Sequence, residues 1–327
     1  MNPAVSTIFG YTVQQLLGQS ITTILPINKD PKNSQQFYQQ INLMKSKQVP
    51  MTYSCKLIGE KDDENEILLN VTLLGINNGE SFALIMNDMT IAMKAQKDIE
   101  EAKKKAEKLL YQILPRDIVN RINQGETEIS FSVPIATITF IDIVKFSEYS
   151  ATLSAKQIMT NLGMVFKSFD SLLTKYKTII KIKLIGDVYM AAAGLFNQNL
   201  SSDVPASEMV SFAIDVLHVL DEINHGLESN LQVRIGINTG GPLIAGVLGI
   251  DKPLFDIIGD PINVASRLQS NSLPNHIQIS QATCDLIKNK GFVIEERGKI
   301  QLKGKGLQMA YFVGVEETST EVFPFLS

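Results

Sequence analysis

Thr178-Ile-Ile-Lys-Ile-Lys-Leu-Ile-Gly-Asp-Val-Tyr-Met190 alternates apolar and polar residues over Ile180, Lys181, Ile182, Lys183 and Leu184. That is the period of a half-buried β-strand, because successive side chains on a strand point to opposite faces. The run breaks at Gly186-Asp187 and resumes as a second apolar stretch from Val188 to Ala193, so the segment predicts a β-hairpin. At the turn the Asp187 carboxylate can reach out of the sheet, and Lys183 stands on the polar face of the strand just before it. Alone, the segment is a hairpin with two surface charges.

Two further segments change that reading. In Ala136-Thr-Ile-Thr-Phe-Ile-Asp-Ile-Val-Lys-Phe-Ser-Glu-Tyr-Ser150 a β-rich run, which begins one residue earlier and spans Ile135 to Ile141, ends at Asp142 and gives way to a helical pattern. A carboxylate at a strand exit can hold a cation, and backbone amides opening toward a helix attract an anion, so this pattern suits metal plus phosphate. In Leu254-Phe-Asp-Ile-Ile-Gly-Asp-Pro-Ile-Asn-Val-Ala-Ser-Arg-Leu268, Gly259-Asp260-Pro261 predicts a turn. The helix expected after it carries Asn263 and Arg267 at i, i+4 on one face.

In this order and spacing the three segments resemble the class III nucleotidyl cyclases, the adenylate and guanylate cyclase catalytic domain. Tyr111-Gln-Ile-Leu-Pro115 resembles the family's entry to the domain, Val233-Arg-Ile-Gly-Ile-Asn-Thr-Gly-Gly-Pro-Leu-Ile-Ala-Gly-Val247 its central strand and glycine turn, and Gln301-Leu-Lys-Gly-Lys-Gly306 its last hairpin. The likeness runs collinearly from about Leu110 to Gly314. It implies an α+β class III cyclase fold over residues 114–315, with a ferredoxin-like βαββαβ core whose antiparallel-rich sheet is flanked by helices.

The resemblance also implies chemistry: attack of a ribose 3′-hydroxyl on the α-phosphate of a nucleoside triphosphate, with release of pyrophosphate. Asp142 and Asp187 match the family's metal carboxylates, joined by the backbone of Ile143. Two Mg²⁺ or Mn²⁺ ions per site are expected, since hard oxygen donors suit these cations and a metal pair can activate the attacking oxygen and neutralise the leaving group. The backbone from Ile143 through Val144, Lys145 and Phe146 matches the substrate-binding segment. Arg267 matches the arginine that contacts the α-phosphate, Asn263 the asparagine that orients the ribose, and Lys303 the lysine for the triphosphate tail, with Lys305 beside it as the alternative. Lys183 and Asp256 match the pair that reads the base. Adenine offers an acceptor at N1 and a donor at its exocyclic amine, which a lysine and an aspartate satisfy. Guanylate cyclases of the family usually place a glutamate and a cysteine or similar residue there, so the expected substrate is ATP and the product cyclic AMP.

In the family each site forms between two catalytic domains. This chain carries both half-sets, so a homodimer with two equivalent composite sites is implied. Three departures bear on the dimer surface and its regulation. Thr239-Gly240-Gly241-Pro242 has one residue more than the usual turn, Ile258 stands where tryptophan is common, and Gly249 to Pro253 is less basic than usual.

Upstream, residues 1–90 resemble an incomplete PAS-like sensor domain of α+β type. Asn2 to Gly18 matches its helical start, a helix is expected over Ser34 to Lys45, and strands over Met51 to Ile58, Glu66 to Ile76 and Ser81 to Asp88, with Asn77-Asn78-Gly79 as a hairpin turn. The family's first two strands should precede Met1, and the expectation is that Met1 is not the natural start. This segment contains no histidine, which excludes haem ligation through that residue, and no cofactor is predicted for it. Between the two domains, Ala92, Ala95, Ile99, Ala102, Ala106, Leu109 and Ile113 step by three and four residues. They predict a coiled-coil signalling helix over 91–113 that pairs weakly, because alanine buries little area.

With 327 residues there is room for two buried cores, and a net charge of −4 gives no electrostatic footprint for nucleic acid. Cys55 and Cys284 fall in separate domains and suggest neither a disulfide framework nor a zinc site, which fits a reducing compartment. His218, His225 and His276 are scattered and read as structural. No apolar run reaches the length of a membrane span. The expected location is cytoplasmic, at the cytosolic face of a membrane where spans lie upstream, and the tail at 316–327 has no evident role. The competing readings are a guanylate or dual-specificity cyclase, against which the Lys183/Asp256 polarity argues, and a catalytically silent PAS/cyclase-like dimerisation module. Against the latter stand Asp142, Asp187, Asn263 and Arg267 together.

Overall fold

The computed structural model describes residues 4–25, 31–47, 52–61, 65–76, 81–249 and 251–314. The expected turn at Asn77-Asn78-Gly79, the Cys55 side chain and the tail lie outside the described residues. The chain divides into two compact units, Met1–Leu109 and Leu110–Ser327.

In the first unit, helices α1 (Ala4–Phe9), α2 (Val13–Leu16) and α3 (Pro31–Lys47), with a single 3-10 turn at Ile21–Thr23, accompany a sheet. Its strands β1 (Thr52–Lys61), β2 (Asn65–Ile76) and β3 (Ser81–Asp88) pair antiparallel in the order β1-β2-β3. Thr12 starts α2 through a capping box with Gln15, which satisfies amides the helix leaves unpaired. Period-two burial of Ile67, Leu69, Val71 and Leu73 gives β2 its core face, packed with Phe9, Leu25, Phe37 and Met44. Helix α4 (Thr90–Ile113) follows β3 directly. Asp88 Oδ1 accepts from the Thr90 amide at 2.9 Å, and Thr90 Oγ1 accepts from the Leu68 amide at 2.9 Å, so the helix start is tied to β2. All seven residues of the predicted seam on α4 are exposed.

The second unit opens with α5 (Arg116–Asn123), β4 (Ser130–Val133), β5 (Ala136–Ile143), α6 (Phe146–Ser150), α7 (Ala155–Leu173), β6 (Ile179–Ile185), β7 (Val188–Ala193) and α8 (Asp203–Leu227). It continues through β8 (Val233–Gly240), β9 (Leu243–Leu248), β10 (Leu254–Ile258), α9 (Asp260–Ser270), β11 (His276–Ser280), α10 (Gln281–Ile287), β12 (Val293–Leu302) and β13 (Gly306–Gly314). The main sheet runs β12-β13-β11-β8-β5-β7-β6, and β4, β9 and β10 form a smaller one. Strands β5, β6, β7 and β8, joined by α7 and α8, are the expected βαββαβ core. In the main sheet only β11 and β8 pair parallel. One face of the main sheet packs on α7, α8 and α10 through Phe169, Tyr189, Phe212 and Ile235. The other packs on α5, α9 and the small sheet through Ile138, Met190, Phe255 and Ala265.

Two helix starts differ from the sequence reading. The polar run Asn197 to Pro205 predicts a loop from its sequence, but α8 begins inside it at Asp203. Likewise Asp260 and Pro261 are the first turn of α9 and not a separate turn. The cause is shared: a proline in the first turn lacks only an amide that has no intrahelical partner, and an aspartate there complements the helix dipole.

Gly236 on β8 lets α9 lie against the sheet. A Cβ at that position would sit 2.1 Å from the Gln269 amide nitrogen and 2.6 Å from the Ala265 carbonyl oxygen. Gly236→Ala is therefore expected to lower stability by roughly 2–4 kcal/mol, measured by chemical denaturation, because both obstacles are backbone and cannot rotate away.

Candidate active site

The opening hairpin carries a feature that alternation does not predict. Strand β6 has a bulge: Lys181 stands opposite Ala191, but Lys183 stands opposite Met190, so Ile182 is the extra residue. Plain alternation would put both lysines on one face. The bulge separates them. Lys181 turns to α7, where its Nζ donates to Asp170 Oδ2 at 2.6 Å and Tyr189 Oη donates to Oδ1 at 2.7 Å. Lys183 shares the face of Met190, toward the small sheet, and its Nζ donates to Asp256 Oδ2 on β10 at 2.5 Å. The Asp256 carboxylate is further fixed by the Ile257 amide at 2.9 Å. The two residues predicted to read a base are thus one hydrogen-bonded pair, with side chains 30% and 14% exposed.

Asp142 stands near the end of β5, opposite Arg234 of β8 and Val188 of β7. Asp187 immediately precedes Val188, so pairing alone brings both carboxylates to one corner. Asp142 Oδ2 accepts from Arg234 Nη2 at 2.6 Å and from Gln269 Nε2 at 3.0 Å. Burial, first, and the charge of Asp142 hold the Asp187 carboxyl above the usual carboxylate range, against its own backbone amide and Arg234. The Asp187 carboxyl, whose charge Asp142 disfavours, stands beside an Asp142 oxygen that accepts no hydrogen bond among the described residues, and the pair fits a hard divalent cation. Among the described residues no group of three or more His, Cys, Asp or Glu gathers at any point. A cation here would complete its shell with water and substrate phosphate, the pattern of Mg²⁺. The amide of Val144 is not available to a phosphate, as the sequence reading has it, because it donates to the Gln232 carbonyl at 2.8 Å. Lys145 adopts φ 54° and opens α6 at Phe146, and its side chain pairs with Glu148 at 3.3 Å. Ile143 is the last residue of β5.

Arg234 and Gln269 escaped the sequence reading. The signal was a charge at the mouth of an apolar strand, legible only once β8 is paired with β5.

On α9, Asn263 and Arg267 share a face, and Gln269 lies roughly 200° around the helix from Arg267 at 3.6 residues per turn. The helix that binds Asp142 on one side therefore presents Asn263 and Arg267 on another. The Arg267 guanidinium lies by the β12–β13 turn, where a Cβ on Gly304 would be 3.9 Å from both terminal nitrogens. It forms no ion pair among the described residues. Of the two candidate lysines in that turn, Lys305 donates to Asp260 Oδ2 at 2.6 Å, while Lys303 is exposed and unpaired among the described residues.

Comparison with known proteins follows this geometry. The profile of the adenylate and guanylate cyclase catalytic domain matches residues 131–314, and a PAS domain profile matches residues 1–90. Human atrial natriuretic peptide receptor 2 is 36% identical over 216 residues, covering 65% of this chain, which spans 20% of that receptor's length. The solved guanylate cyclase domain of RhGC from Catenaria anguillulae, in complex with GTP, is 31% identical at TM-score 0.52, covering 57% of this chain and 98% of that one. The adenylyl cyclase CyaB from P. aeruginosa is 27% identical at TM-score 0.54, covering 59% and 100%. The chain belongs to the adenylate and guanylate cyclase catalytic domain family, with a PAS domain at its N-terminal end.

Proposed function

We propose that the chain is an adenylate cyclase that converts ATP to cyclic AMP and pyrophosphate at composite sites of a homodimer, under control of its PAS domain and α4. The Lys183–Asp256 pair carries the choice of ATP. Its ammonium supplies donors to adenine N1, and its carboxylate accepts from the exocyclic amine. Guanine presents the opposite polarity at both positions. The second reading, a guanylate or dual-specificity cyclase, has the likeness to the RhGC guanylate cyclase domain in its favour, and this pair and the likeness to the adenylyl cyclase CyaB against it.

In this reading Asn263 orients the ribose, Arg267 stabilises charge developing on the α-phosphate, and Lys303 holds the triphosphate tail. Lys305, neutralised by Asp260, positions the turn. Asp142, Asp187 and the Ile143 carbonyl would hold divalent cations, which would supply activation of the 3′-oxygen and neutralisation of the leaving pyrophosphate. Arg234 orients the Asp142 carboxylate through its hydrogen bond.

The placement of α9 supports the composite site: the helix binds Asp142 on one side and presents Arg267 and Asn263 on another, an arrangement that favours an arginine supplied by a second copy. The small sheet offers the surface for it. The cross-strand pairs Ile244–Ile258 and Leu248–Leu254 are all exposed, as is the seam of α4. No described helix is long and apolar enough to cross a membrane.

Purified protein incubated with Mg²⁺ or Mn²⁺ and either ATP or GTP, with the cyclic product identified, tests the reading. Cyclic AMP is expected, and cyclic GMP as the main product would contradict it. Lys183→Glu is expected to lower the ATP/GTP ratio of kcat/KM by roughly 10² or more, since a carboxylate facing adenine N1 leaves two acceptors opposed in a sheltered pocket.

A further inference from the structure

Two donors converge on Asp142, and both use the same oxygen. Arg234 Nη2 donates to Oδ2 at 2.6 Å and Gln269 Nε2 at 3.0 Å, while Oδ1 accepts no hydrogen bond among the described residues. A carboxylate only accepts, so Gln269 presents its amide nitrogen there. Gln269 is buried, at 5% exposure. A buried glutamine that reaches a neighbouring strand is ordinarily a brace for packing, but α9 is held to the sheet without this one. Near the helix start Asn238 Nδ2 donates to the Pro261 carbonyl at 3.0 Å, and near its end Gln278 Nε2 donates to the Leu268 carbonyl at 2.9 Å. Gly236 adds the close backbone approach, since a Cβ there would lie 2.1 Å from the Gln269 amide nitrogen. The Gln269 side chain is left to serve the carboxylate.

We infer that Gln269 is a positioning residue for the metal site: with Arg234 it fixes Oδ2 of Asp142, so that Oδ1 is the oxygen left for a divalent cation. Donors from two elements, β8 and α9, restrict the rotation of the carboxylate more than either does alone. The neutrality of the amide matters as much as its place. A second cationic donor beside Arg234 would repel the metal, whereas an amide orients the carboxylate without opposing the ion. Partners that orient a metal ligand in this way typically change metal affinity by roughly 10–100-fold when lost. The inference rests on the metal-site reading proposed above and does not depend on the choice of ATP.

Titration of the full chain with Mn²⁺, followed by electron paramagnetic resonance in the presence of 3′-deoxy-ATP, tests it without turnover, because that nucleotide lacks the attacking hydroxyl. Gln269→Met keeps a similar volume and loses the donor. It is expected to bind Mn²⁺ about tenfold more weakly than the parent, at a temperature where circular dichroism shows it folded. Gln269→Asn keeps the amide but falls one methylene short of the carboxylate. It should show the same loss, and it carries the test where the apolar variant does not fold. A mere brace predicts the opposite pattern, a lower Tm with unchanged Mn²⁺ affinity, and that pattern in either folded variant would overturn the inference. Asp187→Ala separates this outcome from failure of the metal site itself. Parent Mn²⁺ binding that survives Asp187→Ala would overturn the metal-site reading and this inference with it.

Discussion

Asp187→Ala is expected to abolish turnover of ATP and GTP alike, by at least roughly 10³-fold, because a two-carboxylate metal site has no spare ligand. The folded chain should not suffer. Burial and the adjacent Asp142 already disfavour the ionised Asp187 carboxyl, so its removal relieves a cost and the Tm should stay the same or rise. Asp142→Ala is the less informative variant, since it strips Arg234 of its partner. The Nε atom of Arg234 is already buried without a hydrogen-bond partner among the described residues, so loss of the carboxylate would leave a half-buried guanidinium less satisfied and add a stability effect of its own. Turnover lost at unchanged Tm, together with loss of Mn²⁺ binding in the presence of nucleotide, is the expected pair of observations for Asp187→Ala. Residual turnover near the parent value would remove Asp187 from the metal site.

Arg267→Ala is expected to lower kcat by roughly 10²–10³, the scale of losing one preorganised donor to charge that develops in the transition state. The guanidinium forms no ion pair among the described residues, so its loss should leave stability nearly untouched. That separates a catalytic role from a structural one. An effect confined to KM would mean that Arg267 binds the ground state equally well, against the role assigned here. Arg267→Lys should recover only part of the rate, because a lysine keeps the charge but not the planar fork of donors.

The fold class was legible through the resemblance carried by the quoted motifs, whose order tracks the order of the strands and helices they sit on. The juxtaposition of Asp142 and Asp187 was implied by the same resemblance, and strand register brings them to one corner. What escaped depends on three dimensions. The β6 bulge decides that Lys183 and not Lys181 meets Asp256, and Ile182, the extra residue, looks like any other alternating isoleucine. Arg234 and Gln269 join Asp142 through strand register and helix packing, and that packing depends on Gly236, an unremarked glycine in an apolar strand. The choice between Lys303 and Lys305 turned on Asp260, read as part of a turn when it is the first residue of α9.

The composite site is the central claim, and one mixing experiment tests it most directly. Asp187→Ala chains and Arg267→Ala chains are assayed with ATP separately, then after being combined in equal amounts and allowed to exchange. Each alone should be nearly inactive. In the mixture half of the dimers pair one chain of each kind, and each such dimer has one of its two sites intact, so recovery of about a quarter of the parent activity is expected. A mixture no more active than its separate components, under conditions where exchange of chains is demonstrated, would contradict the account.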